Sequence, residues 1–206
     1  TAYSAAAGAA LLALAPVSAD AQVVYTDLDP DQALATGEDF LIDFDGDGAD
    51  DLQFVVVSPF ANFFRARVLP DDPNNGGVVG YGPVAANYNY FYASVLANSA
   101  EISGTNTIQN TNSTTAGDRD DFLLTSTFGA NTYGNWGGVT DQFVGIRFNA
   151  GGGTTHYGWV RLDVTSAQSI TIKDYAYQAT ADMAITAGDV GVAVEPGALP
   201  DGYAFT

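Results

Sequence analysis

The chain contains no cysteine. Disulfide bonds, thiolate metal sites and a cysteine nucleophile are therefore excluded. An exported domain that lacks disulfides needs another source of stability, and a bound ion or contacts between subunits can supply it. The absence of cysteine thus directs attention to ion sites and to assembly.

Positive charge is also scarce. Lys and Arg number 6 against 24 Asp and Glu, the formal net charge is −18, and Lys173 is the single lysine. Such a surface repels nucleic acid and anionic lipid, so neither is an expected partner. The same surface attracts cations and keeps an extracellular protein soluble.

Histidine and glutamate are too few for most catalytic sites. The one histidine, His156, cannot build a multi-histidine zinc site or, without convergent partners, a Ser-His dyad, so we expect it to cap or line a strand. Glycoside hydrolysis needs two facing carboxylates. Outside the acidic loop described below, the remaining candidates are unpaired in sequence: Asp141, Asp163 and Asp174. We therefore expect no enzyme; an intramolecular amide from Lys173 to an Asp or Asn is a lesser alternative.

The strongest motif is a hairpin over residues 41–57, LIDFDGDGADDLQFVVV, in which two apolar runs flank an acidic loop. Carboxylates stand at loop positions 1, 3, 5 and 9, and Gly48 at position 6 permits a sharp bend. This spacing is typical of a loop that wraps Ca²⁺, with a backbone carbonyl at position 7 as a further ligand. The predicted ligands are Asp43, Asp45, Asp47, the carbonyl of Ala49, and Asp51.

Position 12 of this loop is Phe54 and not glutamate, so Asp50, Asp51 and water would have to complete the coordination shell. Affinity would then be modest, as in extracellular modules. The alternative is a solvated Asp-Gly turn without an ion. Because the carboxylates of this short loop repel one another, calcium is the favoured reading.

The remainder of the chain predicts an all-β fold. Apolar residues make up 47%, and short alternating segments recur between Gly- and Pro-rich turns. About ten such strands, with no convincing helix after residue 36, indicate an antiparallel two-sheet sandwich of jelly-roll type. We expect it to occupy residues 22–206 as a single domain.

Residues 1–21 form a separate apolar segment. Residues 2–15 read AYSAAAGAALLALA, and an Ala-x-Ala pattern ends at Ala21, as in a secretory signal. We expect a retained helical arm that joins neighbouring subunits. About 15 helical residues span roughly 22 Å, less than the roughly 30 Å of a bilayer core, so no stable membrane span is expected. An uncleaved signal peptide, or a helix folded back on its own domain, is the alternative.

Two further surface features can be read from the sequence. Tyr88, Tyr90 and Tyr92 alternate along one predicted strand, and with Trp136 they could stack on sugar rings; half of a core or a subunit contact is the alternative. A polar segment over residues 103–118 contains a glycosylation-type sequon at Asn112.

Two local resemblances add to this interpretation. DFDGDGADDLQF, residues 43–54, resembles the calcium hairpin of integrin-type FG-GAP repeats, which implies the ion but, in one copy, not the propeller. HYGWVRLDV and ITIKDYAYQATADMAITAGD, residues 156–164 and 170–189, resemble the C-terminal half of secreted bacterial sandwich proteins, including those of the PEP-CTERM-sorted kind. That resemblance implies an exported surface protein and brings no catalytic residues.

These observations together predict a structural subunit of an extracellular filament or surface assembly, stabilised by Ca²⁺ and assembling through residues 1–21 as a homopolymer. A monomeric calcium-dependent carbohydrate-binding or adhesion domain is the alternative. Either would lie outside the cell or on its surface.

Overall fold

A computed structural model describes residues 22–70, 76–82, 91–109, 122–151 and 153–191. Within these ranges the protein is all-β, which confirms the predicted class, and no helix is long or apolar enough to cross a membrane. The predicted arm over residues 1–21 lies outside the described residues, as do Tyr88, Tyr90 and Asn112.

The strands are β1 (Val23–Ala35), β2 (Asp39–Ile42), β3 (Leu52–Phe60), β4 (Phe63–Pro70), β5 (Gly77–Tyr81), β6 (Phe91–Ala93), β7 (Glu101–Ile102), β8 (Ile108–Gln109), β9 (Phe122–Phe128), β10 (Asn131–Tyr133), β11 (Val139–Ala150), β12 (Thr154–Ser166), β13 (Ser169–Gln178) and β14 (Ile185–Thr186).

Ten of these strands form one continuous path in the order β1-β13-β12-β11-β5-β6-β9-β4-β3-β2, with β8 added to β5 and β10 to β9. The pairings are antiparallel except β6 with β9, and the mixed sheet curls until it is nearly barrel-shaped. The predicted division into two separate sheets is not shown. The short strands β5 and β6 join the two halves, because β5 pairs with β11 on one side and β6 pairs with β9 on the other.

One apolar core fills the inside of the curled sheet. Leu34 on β1 and Phe54 on β3 belong to the same buried cluster, although their strands lie near opposite ends of the strand order. Along β13, Ile170 and Ile172 belong to this core, and beyond a break in register with β12 the side chains of Tyr175 and Tyr177 pack against it. Closure therefore comes from the sheet covering its own inner face, as it does in barrels.

A second, smaller cluster lies on the outer face of β11, β12 and β13. Phe143, Tyr157 and Trp159 are buried there beneath the two-stranded sheet of β7 and β14, which contributes Ile102 and Ile185. The Trp159 indole N–H donates to the carbonyl of Asp189 at 3.1 Å. Strands β7 and β14 thus cover apolar surface that the outer face of the sheet would otherwise leave exposed.

Candidate metal centre

The acidic loop lies between the paired ends of β2 and β3. The Asp51 N–H donates to the carbonyl of Ile42 at 2.8 Å and closes the loop. Phe44, the second loop residue, is buried and stacks on Phe148 with ring centroids 5.0 Å apart. Tyr175 meets the same ring edge-on at 5.2 Å. One apolar side chain therefore anchors the loop in the core while its acids face outward.

Backbone amides of the loop hold its carboxylates in place. Asp43 accepts from the N–H of Gly46 at 2.7 Å through Oδ1 and from that of Gly48 at 2.9 Å through Oδ2. Asp51 accepts from the N–H of Phe44 at 2.7 Å. Gly46 and Gly48 have φ of 74° and 91°, a left-handed conformation that favours glycine. The Asp-Gly alternation thus provides the curvature as well as the charge.

Three of the predicted ligands converge. One carboxylate oxygen each from Asp43, Asp45 and Asp51 lie within 4.8 Å of one another, and all three residues are half-buried. Asp47 is more exposed and stands outside this trio, with its Oδ1 accepting from the N–H of Ala49 at 2.8 Å. Coordination by Asp47 and by the Ala49 carbonyl stays a prediction.

A distant turn contacts the same loop. The Gly151 N–H, in the β11–β12 connection, donates to Asp45 Oδ2 at 2.7 Å across 106 residues of sequence. A Cβ at position 151 would lie 3.0 Å from Asp47 Oδ2, closer than ordinary van der Waals contact. Only the glycine run at residues 151–153 hints at this contact in the sequence, and sequence reasoning did not find it. The loop thus links two hairpins that lie far apart in the chain.

The carboxylates place strong negative potential on Asp51. The pKa of Asp51 is raised to about 7, chiefly because the carboxyl group is partly buried. The hydrogen bond from the Phe44 N–H lowers this pKa, and the negative charges of Asp45, Asp43 and Asp47 raise it. Burial and the charges of Asp45, Asp51 and Asp43 also raise the pKa of Tyr177. None of the ion pairs found among the described residues involves these loop carboxylates. A proton or a cation would relieve the repulsion.

The donor set fits a hard divalent cation. The trio offers only carboxylate oxygens, which Ca²⁺ and Mg²⁺ prefer, and no imidazole or thiolate. Oxygen ligands of this kind are those of the Ca²⁺ site that the loop spacing predicts, and the identity of the ion stays a prediction.

The other predicted side chains have structural surroundings. His156 is buried, with Nδ1 2.8 Å from the carbonyl of Gln178 and Nε2 3.0 Å from Thr154 Oγ1, so it lines a strand as expected. Trp136 is 0% exposed and Tyr92 is 5% exposed, so neither can offer its ring face to a sugar. The alternative reading, in which these aromatics are part of the core, is confirmed for these two residues.

The carboxylates of Asp141, Asp163 and Asp174 come together, but around cations. Lys173 Nζ lies 2.6 Å from Asp141 Oδ1 and 2.9 Å from Asp163 Oδ1. Arg161 binds both oxygens of Asp174, at 2.9 Å through Nε and 2.6 Å through Nη2. The network joins β11, β12 and β13, and Tyr25 adds β1 by donating to Asp174 at 2.9 Å.

Regular alternation along β13 predicts that Lys173 and Asp174 face opposite sides of the sheet, and this prediction is wrong. The register passes from Arg161 opposite Asp174 to Leu162 opposite Ile172, so Lys173 is an extra residue in β13. Such a β-bulge brings two consecutive side chains toward one face. Both residues therefore reach the same outer network.

The network keeps its charges and does not favour the proposed amide bond. The hydrogen bond from Lys173 lowers the pKa of Asp141. Burial opposes the charge on Lys173, but hydrogen bonds to Asp141 and Asp163 outweigh it, so its pKa is raised. Because amide formation needs a neutral amine and a neutral acid, these shifts act against a Lys173–Asp141 linkage.

Replacing Asp174 with asparagine should lower the free energy of unfolding by about 1–3 kcal/mol. The Asp174 carboxylate is only 4% exposed, and asparagine would turn an N–H₂ toward Arg161 or Tyr25; the 34% exposure of Arg161 limits the cost. Urea titration measures the change. Asp141→Asn is the matched control, because that carboxylate is 59% exposed and should cost less than about 1 kcal/mol. Equal losses in both variants would contradict this.

Comparison of the chain with protein-family models, with curated proteins and with solved structures found no match.

Proposed function

We propose that this protein is a calcium-stabilised structural domain outside the cell, a subunit of an extracellular filament or surface assembly. The observation that carries the proposal is the Asp43, Asp45 and Asp51 trio, tied through Asp45 to the β11–β12 turn. Extracellular calcium modules work at dissociation constants of about 10⁻⁴ to 10⁻³ M, which suits a loop with three convergent carboxylates.

In this proposal calcium joins two hairpins. Asp43 and Asp51 stand at the two ends of the loop, and Asp45 is bound to the Gly151 amide. An ion shared by the three residues would fix the β2–β3 loop against the β11–β12 turn. We propose that the curled sheet forms a sandwich of two facing layers, and the ion would then hold these two layers together. A protein without disulfides gains from such a crosslink.

Assembly through residues 1–21 is the second part of the proposal. It rests on the apolar sequence of residues 2–15, since an apolar segment held outside a domain needs a partner surface. The absence of an enzymatic activity also stays a prediction, in keeping with Asp141, Asp163 and Asp174 being held in ion pairs.

Calcium should raise the melting temperature of the metal-free protein. At a calcium concentration of about 100 times the dissociation constant the gain is about 2.7 kcal/mol, which corresponds to roughly 5–11 °C for a chain of this size. Thermal unfolding after dialysis against a chelator, then with added CaCl₂, measures it. MgCl₂ and NaCl at matched ionic strength are the controls. A melting temperature that calcium leaves unchanged would remove the basis of the proposal.

Calcium-dependent carbohydrate binding remains the alternative function. Burial of Trp136 and Tyr92 takes two of its four aromatic side chains away from solvent, and Tyr88 and Tyr90 lie outside the described residues. The structural role is therefore the better supported of the two.

A further inference from the structure

An aromatic cluster lies at the end of the sheet opposite the acidic loop, which we also call the metal loop. The β3–β4 turn lies at the far end of β3, about 30 Å from the acidic loop at roughly 3.3 Å per residue. There Phe60 pairs with Phe63, and Phe63 pairs with Phe128, so the three occupy one row on one face. Tyr133 on β10 lies on the same face, one row away. We call Phe60, Phe63, Phe128 and Tyr133 the aromatic tip.

Three of the four side chains of the aromatic tip are exposed, and Phe60 and Phe128 pack on each other and on Phe63. Phe60 is 54% exposed, Phe128 51% and Tyr133 47%, while Phe63 is buried beneath them. Ring centroids lie 4.8 Å apart between Phe60 and Phe63, and 6.0 Å apart between Phe60 and Phe128. Single exposed apolar residues are ordinary, but grouped ones mark interaction surfaces.

Charge is absent from the two segments that build the tip. Residues 52–64 and 122–140 contain no Asp, Glu, Lys or Arg, in a chain whose net charge is −18. Arg65 follows the first segment, but it is 1% exposed and its guanidinium lies 4.2 Å from the centre of the Phe63 ring. The tip therefore combines exposed aromatic rings with the lack of charge that distinguishes the centre of protein interfaces.

These features favour a second copy of the chain as the partner. Two copies that each carry −18 repel one another over most of their surface, and a neutral apolar tip is where that repulsion is weakest. The rings of Phe60, Phe63 and Phe128 already pack on one another, and the same rings from a second copy would extend that contact. Pro59 has no N–H to extend β3 by strand pairing, which leaves side-chain packing as the mode of contact there.

We propose that the aromatic tip is a self-association surface, on which the tips of two copies pack across a twofold axis. Such an isologous contact uses the same patch on both subunits and closes at a dimer. The proposal goes beyond the proposed function and does not depend on calcium, because the metal loop lies at the other end of β3.

Sedimentation equilibrium of the full 206-residue chain tests the proposal. We expect a reversible dimer whose association strengthens as added NaCl screens the charge repulsion. The double variant Phe60→Ser/Phe128→Ser should weaken association about tenfold or more. Leu41→Ser is the matched control, because Leu41 is 48% exposed on β2, away from the tip. Equal melting temperatures would show that the variants are folded.

The lack of cysteine permits a second measurement. Ala61→Cys places one thiol in the exposed β3–β4 turn, and Ala49→Cys places one in the exposed metal loop. A short bis-maleimide should crosslink the first variant into a dimer and leave the second monomeric. The proposal is overturned if the chain stays monomeric at all salt concentrations, or if the double variant dimerises like the wild type. The second result would assign association to another segment, such as residues 1–21.

Discussion

Replacing Trp136 with alanine should lower the free energy of unfolding by about 3–5 kcal/mol. The side chain is 0% exposed and lies in the main core among residues of both halves of the sheet. Alanine would leave a cavity that the paired strands around it cannot fill, because their backbones are fixed by the ladder. Urea titration followed by circular dichroism measures the loss.

A second variant separates volume from hydrogen bonding. The Trp136 indole N–H donates to the carbonyl of Ala93 at 3.0 Å in a buried setting. Trp136→Phe keeps most of the ring volume and leaves that carbonyl without its donor, so it should cost about 1–3 kcal/mol. If Trp136→Ala left stability unchanged and abolished binding to a neutral polysaccharide, Trp136 would be a surface platform and the core assignment would be wrong.

The strands were predictable where apolar and polar residues alternate over part of their length. The sequence pattern predicts strands over residues 154–164 and 169–178, and the structure has them as β12, with two further residues, and as β13. Val160, Leu162 and Val164 alternate with polar residues in β12, and Ile170 and Ile172 do so in β13.

The Asp- and Pro-rich sequence of residues 27–31 predicts a turn, and the register between β1 and β13 breaks there, between Asp27 and Gln32, although β1 continues to Ala35. Residues 28–31 have no register partner on β13, and pairing resumes from Gln32 to Ala35, so the segment interrupts β1 without ending it.

The sequence does not predict that the sheet curls into a nearly barrel-shaped form. This closure depends on β5 and β6, which are five and three residues long, and on a parallel pairing between β6 and β9. Strands this short carry too few residues for periodicity to show which neighbours they pair with. A two-sheet sandwich was the simpler reading of the same strand pattern.

The sequence predicts those parts of the candidate site whose residues are close together in the chain, and it does not predict the contacts from distant residues. The spacing of Asp43, Asp45 and Asp51 within nine residues shows in the sequence, and these three carboxylates converge. The contact with Gly151 is not local, because it depends on how β11 and β12 pair. Likewise the bulge at Lys173 follows from register with β12, which no property of residues 169–178 alone reveals.

Replacing Asp51 with asparagine should abolish most of the stabilisation by calcium, a loss of about 2–3 kcal/mol at calcium concentrations near 100 times the wild-type dissociation constant. Asparagine has one neutral oxygen and therefore binds Ca²⁺ more weakly than a carboxylate does. In the wild-type protein the Phe44 N–H donates to Asp51 Oδ2 at 2.7 Å. The amide oxygen of asparagine can still accept this hydrogen bond, so the fold of the loop should survive. Calcium titration of the melting temperature measures the loss.

Without metal, the same variant should have the opposite effect. Because burial and the neighbouring charges raise the pKa of Asp51 to about 7 from an ordinary 3.8, the folded protein holds that proton more tightly than the unfolded chain. Stability of the metal-free protein therefore falls as pH rises from about 4 through about 7 and stays lower above. Asparagine never ionises, so in chelator at pH 8 Asp51→Asn should melt above the wild type, and at pH 4 the difference should vanish.

Asp50→Asn provides the matched control for this reversal. Asp50 is the exposed neighbour of Asp51 and stands outside the convergent trio. Its replacement removes the same formal charge from the same loop, so a general relief of repulsion would appear in both variants, whereas loss of the calcium response should appear only in Asp51→Asn. An undiminished calcium response in Asp51→Asn would show that the ion binds elsewhere. Loss of the response in both variants would instead include Asp50 in the coordination shell.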